Sequence, residues 1–368
     1  MRRETRQEDS ASAGRLPCII QTSDMTPSAV HSDAIPPASD LGNVQSEFAE
    51  LLSGCGLLDL SSRTKVALTG GDRVRWLNGV VTNNIRDLSV SRGVYAFLLN
   101  PQGHILSDMY AYNRGESLTL DTDQSELEKL LAIFDRYIIM DEVEVANVSD
   151  RVQSVGIAGP KSGAVLRSTG FEFPALESLQ FADVIWQVAS VTIVRGDHPA
   201  VEWYELWLAP ETVSALRNAL IHAGAKPVGA AAQELLRIAA GIPRYGQDIR
   251  ERDLPQETSQ ERALHFSKGC YVGQEIVERI RSRGAVHRKF AGFEIEGSLP
   301  GPGTKVQADG KDVGEITSAA SLVLKSGERR VAIGYIRREF VAGKQVQAGG
   351  AQLTVSNLPF TGIFPQKE

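Results

Sequence analysis

The chain has 368 residues, more than one compact core usually serves, so two or three domains are expected. Its 39 basic and 45 acidic residues leave a net charge of −6, which argues against broad, sequence-independent nucleic-acid binding but allows a local basic pocket. Three cysteines, Cys18, Cys55 and Cys270, form no C-x-x-C pair and no even framework; this points to a reducing compartment and supplies too few thiolates to hold an iron–sulfur cluster alone. No run of eighteen apolar residues occurs, so no transmembrane helix is expected.

Residues 1–40 are rich in Ser, Ala, Pro and charge and read as a disordered tail; Glu4, Glu8 and Asp9 argue against a transit peptide. From residue 41 the pattern becomes regular. Val44 to Leu52 predicts a helix, and Arg63 to Thr69 alternates as a half-buried strand does. Gly70-Gly71 marks a turn, with Asp72 as N-cap of a helix carrying Val74, Leu77 and Val81. Val94–Leu99 and Ile105–Tyr112 predict strands around the turn Asn100-Pro101-Gln102-Gly103. A strand at Ser117–Asp121 and a helix at Ser125–Arg136 follow, the helix with Leu127, Leu130, Leu131 and Phe134 on one face.

The layout then repeats: a strand at Val152–Ala158, a helix at Pro160–Arg167, strands at Val184–Val194 and Glu202–Leu208, and a helix at Thr212–His222. Residues 229–241 predict a helix closed by Gly241, and 242–266 a long loop. From Lys289 onward, short apolar runs alternate with Gly- and Pro-rich turns, which predicts a small all-β barrel or sandwich. The expected divisions are a tail over 1–40, a first α/β lobe over 41–145, a second over 146–284 and a β-barrel over 285–368.

One stretch stands apart. Residues 267–284 read SKGCYVGQEIVERIRSRG, with a helix expected over Gly273–Ser282. That places Cys270 and Tyr271 just before a helix N-terminus, where free N–H groups favour an ionised thiol, with Lys268 adding to the effect. A small buried cysteine in a tight turn is the competing reading. Gly269 and Gly273 suit positive φ or close approach; Glu275, in the first turn, suits the helix dipole. Arg279, Arg281, Arg283 and Arg288 form either a solvated face or a clamp for carboxylates or phosphates.

The string from Lys268 through Gly269, Cys270, Tyr271, Gly273 and Gln274 to Glu275 resembles the K-G-C-Y-x-G-Q-E signature of the YgfZ folate-binding family. LTGGDRVRWLNGVVTNN (68–84), NPQGHILSDMYAY (100–112), LLRIAAGIPRYGQDI (235–249) and LPQE (254–257) extend the likeness over roughly residues 45–368. The resemblance implies an α+β, three-lobed ring like the glycine cleavage T-protein, with two α/β modules and a C-terminal β-barrel around a folate channel. It implies tetrahydrofolate or a one-carbon derivative as cofactor and no permanently bound metal.

By the same resemblance, Asp108 sits near the reactive nitrogen of folate, and Glu205 in WYELWLAP binds the pterin. Tyr204 and Trp207 are candidates to stack on the ring, and Arg237 to meet the glutamate tail; Asn83 and Tyr95 are weaker channel candidates. Cys270 and Lys268, with Asp108, are the candidate reactive residues. The implied function is an accessory factor in assembly or repair of iron–sulfur clusters on client enzymes, tRNA-modifying ones included. It would work in the cytoplasm, or in the mitochondrial matrix of a eukaryote. The alternatives are a tetrahydrofolate-dependent aminomethyltransferase and a non-catalytic folate-sensing scaffold. If the protein is an enzyme, a folate-dependent one-carbon transferase is the expected class.

Overall fold

The computed structural model describes residues 43–284 and 286–365. The expected tail and Cys18 lie outside the described residues.

Helix α1 (Val44–Ser53) starts at Asn43, whose side chain accepts from the N–H groups of Gln45 and Ser46. Strand β1 (Gly56–Asp59) follows, then β2 (Arg63–Thr69), α2 (Arg73–Val80), β3 (Arg92–Leu99), β4 (Ile105–Asn113), β5 (Leu118–Asp123), α3 (Leu127–Tyr137) and β6 (Glu144–Asn147). The first sheet has the order β3-β4-β5-β2-β6, and its helices bury Leu77, Leu130 and Phe134 against it. Asp72 precedes α2 but does not cap it with its side chain. Its backbone is already helical (φ −91, ψ −4), and the carboxylate instead accepts from the Glu142 N–H at 3.0 Å and Arg75 Nε at 3.2 Å.

The second module contains β7 (Gln153–Ala158), α4 (Ser162–Ser168), β8 (Phe181–Trp186), β9 (Ala189–Arg195), β10 (Trp203–Leu208), α5 (Pro210–His222), β11 (Lys226–Val228) and α6 (Ala230–Ala240). Its sheet runs β11-β1-β7-β10-β9-β8. Two features depart from chain-order expectation. Strand β1 joins this sheet, parallel to β11 and antiparallel to β7, so residues 44–59 pack with the second module. The single strand expected at Val184–Val194 is a hairpin that reverses at Gln187 (φ 55) and Val188, a turn without Gly, Pro or Asn to announce it.

Gly241 ends α6 in the left-handed conformation (φ 69), as its position predicts. The 242–266 loop and α7 (Gln274–Arg283) lead to the barrel. Six strands, β12 (Arg288–Glu296), β13 (Lys305–Ala308), β14 (Lys311–Leu324), β15 (Gly327–Arg337), β16 (Gln345–Ala348) and β17 (Ala351–Ser356), close in the order β12-β15-β14-β13-β16-β17. Closure removes free sheet edges and encloses Phe293, Ile316, Ile336 and Leu353. One face of β14 and β15 packs through Leu322, Ile333 and Tyr335 onto Phe48 and Leu236 of the second module.

Candidate functional site

The two sheets meet face to face. In β10, Tyr204 and Leu206 point into the second module's own core, while Glu205 and Trp207 point toward the first sheet. Between the modules lies a cavity of about 260 Å³ whose wall includes Arg63, Tyr110, Tyr112, Trp203, Glu205 and Arg262. A larger cavity, about 570 Å³, lies between the end of α6, residues 259–262 and the barrel. Both are walled by Asp197, Ile242 and Arg262, and the Arg262–Asp197 ion pair stands where they meet.

Glu205 carries its carboxylate into the smaller cavity. The Trp207 indole donates to its Oε2 at 3.0 Å. Burial raises its pKa above the ordinary carboxylate range, Asp121 adds to the rise, and Lys65, Arg63 and the indole oppose it. Asp108, on β4, accepts from the Tyr95 hydroxyl at 2.6 Å, and burial raises its pKa as well. The Arg262 guanidinium lies 4.3 Å from the Tyr95 ring centroid and links the Tyr95–Asp108 pair to the cavity wall.

The other expected ligand contacts have different tasks. Tyr204 packs edge-on against Phe173, away from the cavity. Trp207 is buried against Tyr112 and serves Glu205 rather than lining the wall. Arg237 reaches the cavity, but all five of its N–H groups are engaged: by Glu234 twice, by Asp248, by the Ile242 carbonyl and by Ser318 of the barrel. It ties α6 to the barrel, which leaves Arg63, Arg244 and Arg262 as the other guanidiniums of the cavity. Asn83 donates to the carbonyls of Tyr95 and Arg262, both at 2.8 Å, and so fixes the wall from behind.

The 267–275 segment packs on the first module, outside both cavities. Lys268 is 5% exposed, and its ammonium donates to the carbonyls of Asn78 (2.5 Å), Val81 (2.7 Å) and Asn83 (2.6 Å). Two of these close the C-terminal end of α2, where a cation suits the helix dipole. Burial pushes the amine's pKa down to about 7, while the three acceptors favour its charged form. Tyr271 is buried beneath the ammonium, and its N–H donates to Gln274 Oε1 at 3.3 Å. Gly273 adopts φ 82, and a Cβ there would lie 2.6 Å from the Asn100 carbonyl oxygen. Gly269 has neither constraint. Cys270 and Glu275 face solvent.

Residues 35–268 match the GCVT N-terminal domain family. The chain belongs to that family. Residues 287–360, the barrel, match the CAF17 C-terminal beta-barrel domain. Among curated relatives, the aminomethyltransferase of Rubrobacter xylanophilus is 28% identical over 306 residues, 82% of each chain. That of one Thermus thermophilus strain is 27% identical over 327 residues, 87% of this chain and 91% of the relative. The crystal structure of glycine cleavage system aminomethyltransferase T from Bartonella henselae superposes with TM-score 0.81 at 23% identity, covering 90% of this chain and 93% of that one. The fold is therefore the GCVT fold, with mixed α/β modules and a closed barrel.

Within this GCVT-family chain, the charged layer behind Glu205 escaped sequence reasoning. Lys65 is fully buried and pairs with Asp121 at 3.0 Å, and Arg63 shares the same carboxylate oxygen at 3.1 Å. A signal existed: two basic residues alternate along RTKVALT, and LTLDTD supplies the opposing acid in the neighbouring strand. The four arginines after the motif also separate. Arg288 bridges Asp253 (2.7 Å) and Glu257 (2.8 Å), Arg281 lies 4.6 Å from the Phe266 ring, and Arg279 is exposed; the Arg283 side chain is outside the described set. No helix among the described residues is long and apolar enough to cross a membrane.

Proposed function

We propose that this chain is a YgfZ-type, tetrahydrofolate-binding accessory protein for the assembly or repair of iron–sulfur clusters on client enzymes, tRNA-modifying ones included. The observation that carries this reading is the placement of Cys270: exposed, on a segment whose neighbours Lys268, Tyr271 and Gly273 are all anchored. A thiol presented this way is accessible to a partner protein, and the CAF17-type barrel that follows supports the same family reading.

The smaller cavity suits a flat heterocycle bearing several N–H groups. Its wall includes the aromatic side chains of Tyr110, Tyr112 and Trp203, and Glu205 presents a two-oxygen acceptor. Glu205 would hold the pterin's N–H groups, and the tyrosines and Trp203 would flank its faces. Asp108, held by Tyr95, would orient a ring nitrogen or take its proton. A one-carbon derivative of tetrahydrofolate, when bound, would supply a carbon unit held on ring nitrogen N5, on the amine N10 or bridging the two. These contacts are shared by the second reading, an aminomethyltransferase, which the names of the curated relatives favour.

Complementation separates the readings. In a strain lacking its own YgfZ-like protein, the wild type restores a radical iron–sulfur enzyme, Cys270→Ala does not, and Asp108→Ala reports on the cavity. Failure of the wild type to restore activity would sink the proposal. Methylene-tetrahydrofolate formation from an aminomethyl-loaded carrier protein would establish the second reading instead. Full activity of Cys270→Ala alongside loss in Glu205→Ala would leave a folate-sensing scaffold.

A further inference from the structure

The interface between the two α/β modules carries charge where packed sheets ordinarily bury apolar side chains. Lys65 is 0% exposed, and its ammonium has one carboxylate partner, Asp121, which already holds Arg63. A buried ammonium is costly, and a single shared carboxylate compensates it poorly. Its other contact is informative. Nζ lies 4.6 Å from the centroid of the Trp207 ring, and the Trp207 indole N–H donates to Glu205 Oε2 at 3.0 Å. A cation over an indole face draws electron density from the ring and makes its N–H a stronger donor. Lys65 thus stands behind Trp207, and Trp207 behind the carboxylate that faces the cavity.

We infer that Lys65 is a positioning residue for the cavity-facing carboxylate of Glu205, acting through the Trp207 indole. The charged groups around Glu205 come from several elements. Arg63 and Lys65 on β2 favour its ionised form, and Asp121 on β5 opposes it. Arg237 and Arg244, with Arg262, Asp197 and His198, complete the cavity's charged and titratable wall together with Tyr110 and Tyr112. The Lys65 ammonium, 4.6 Å from the Trp207 ring that donates to Glu205, favours charge on that carboxylate, and the Asp121 carboxylate opposes it. Removing each should therefore move Glu205 in opposite directions.

The inference takes only the ligand's identity from the folate reading, and its test begins without ligand. The full chain, carrying carboxyl-labelled glutamate, is titrated by NMR, with the Glu205 signal assigned from Glu205→Gln. Lys65→Met raises the Glu205 midpoint by about one pH unit, a tenfold change in its ionisation constant, and Asp121→Asn lowers it. Trp207→Phe keeps an aromatic face but removes the donor, and raises the midpoint as well. An unmoved midpoint in Lys65→Met, or shifts of one sign in Lys65→Met and Asp121→Asn, overturns the inference. Should Lys65→Met fail to fold, an unmoved midpoint in Trp207→Phe overturns it. Tetrahydrofolate titrations by calorimetry form the second arm. At a pH below the midpoints, Lys65→Met binds about tenfold more weakly than wild type, and affinity recovers as pH rises. A wild type that titrates as described but binds no tetrahydrofolate refutes the functional reading and leaves the role of Lys65 standing.

Discussion

The cavity between the modules and the 267–275 segment solve opposite problems with similar residues. At the cavity, charges serve one partly exposed carboxylate: Lys65 and Asp121 are buried behind Glu205, and half-buried Arg63 joins them from the wall. On the segment, buried polar contacts serve one exposed thiol: Lys268 and Tyr271 anchor the chain on either side of Cys270. A lysine is buried in each place, yet one tunes a neighbour's charge and the other closes a helix end. The lesson is that a run of unusual residues is mostly scaffold for a single exposed group. The two regions also connect, through the cluster that joins Tyr271 to Tyr95 and Tyr110 and through Asn83. Asn83 accepts from Lys268 through its carbonyl and donates to the Arg262 carbonyl through its side chain.

The largest expected effect tests the cavity side. On the proposed folate reading, Glu205→Ala would remove an acceptor of two charge-assisted hydrogen bonds and should lower tetrahydrofolate affinity about a thousandfold, measured by calorimetry. The same site predicts a gain in stability. Burial holds the folded-state pKa of Glu205 above its unfolded value, so the carboxyl favours folding at pH below the ordinary glutamate range, and that contribution is lost as pH rises through the raised value. Glu205→Gln mimics the protonated form. Its thermal midpoint should exceed wild type at neutral pH and converge with it near pH 4, as followed by circular dichroism. A variant less stable at neutral pH would mean that Glu205 is a fold-stabilising ion-pair partner instead.

Next in size is the anchor of the segment. Lys268→Met strips the donor from three buried carbonyls and should lower unfolding free energy by about 3 kcal/mol in urea melts. If Lys268 instead acts as a chemical group beside Cys270, the variant keeps its stability and loses only activity. Gly273→Ala is expected to cost about 2 kcal/mol, since a Cβ meets the Asn100 carbonyl and the backbone is left-handed. Gly269→Ala, with open space and ordinary φ, should change stability by less than about 0.5 kcal/mol. Equal costs at the two glycines would break the distinction between anchored and free positions.

Much of the fold was legible because local chemistry decided it. The strand Arg63–Thr69, the Gly241 stop and the barrel's strand-and-turn texture each follow from period and turn residues. Sheet membership was not, because β1 is only four residues long and its partners β7 and β11 lie about 100 and 170 positions away; pairing is then set by packing rather than by sequence period. The same limit hid the charged layer. Alternation in RTKVALT marks Arg63 and Lys65 as the polar face, which reads as solvent-facing until a second sheet covers it. Glu205 was reached only by resemblance, since WYELWL places it on one face with Trp203 and Trp207 without saying which face is core. Cys270 was marked by its rarity, but its exposure depends on neighbours that no spacing rule orders.

The smallest expected effect on the fold is the most informative for function. Cys270 is exposed, makes no wall of either cavity and lies outside α7, so Cys270→Ala should leave unfolding free energy within about 0.5 kcal/mol of wild type. Tetrahydrofolate affinity should also be unchanged, because the contacts from the segment to the cavity run through Lys268, Asn83 and Tyr271 rather than through the thiol. Client activity should nevertheless be lost. That triple outcome, with melts and calorimetry alike and complementation abolished, would separate a presented thiol from a ligand site within one chain. A fall in tetrahydrofolate affinity on removing Cys270 would merge the two regions into a single site, and the comparison between them would fail.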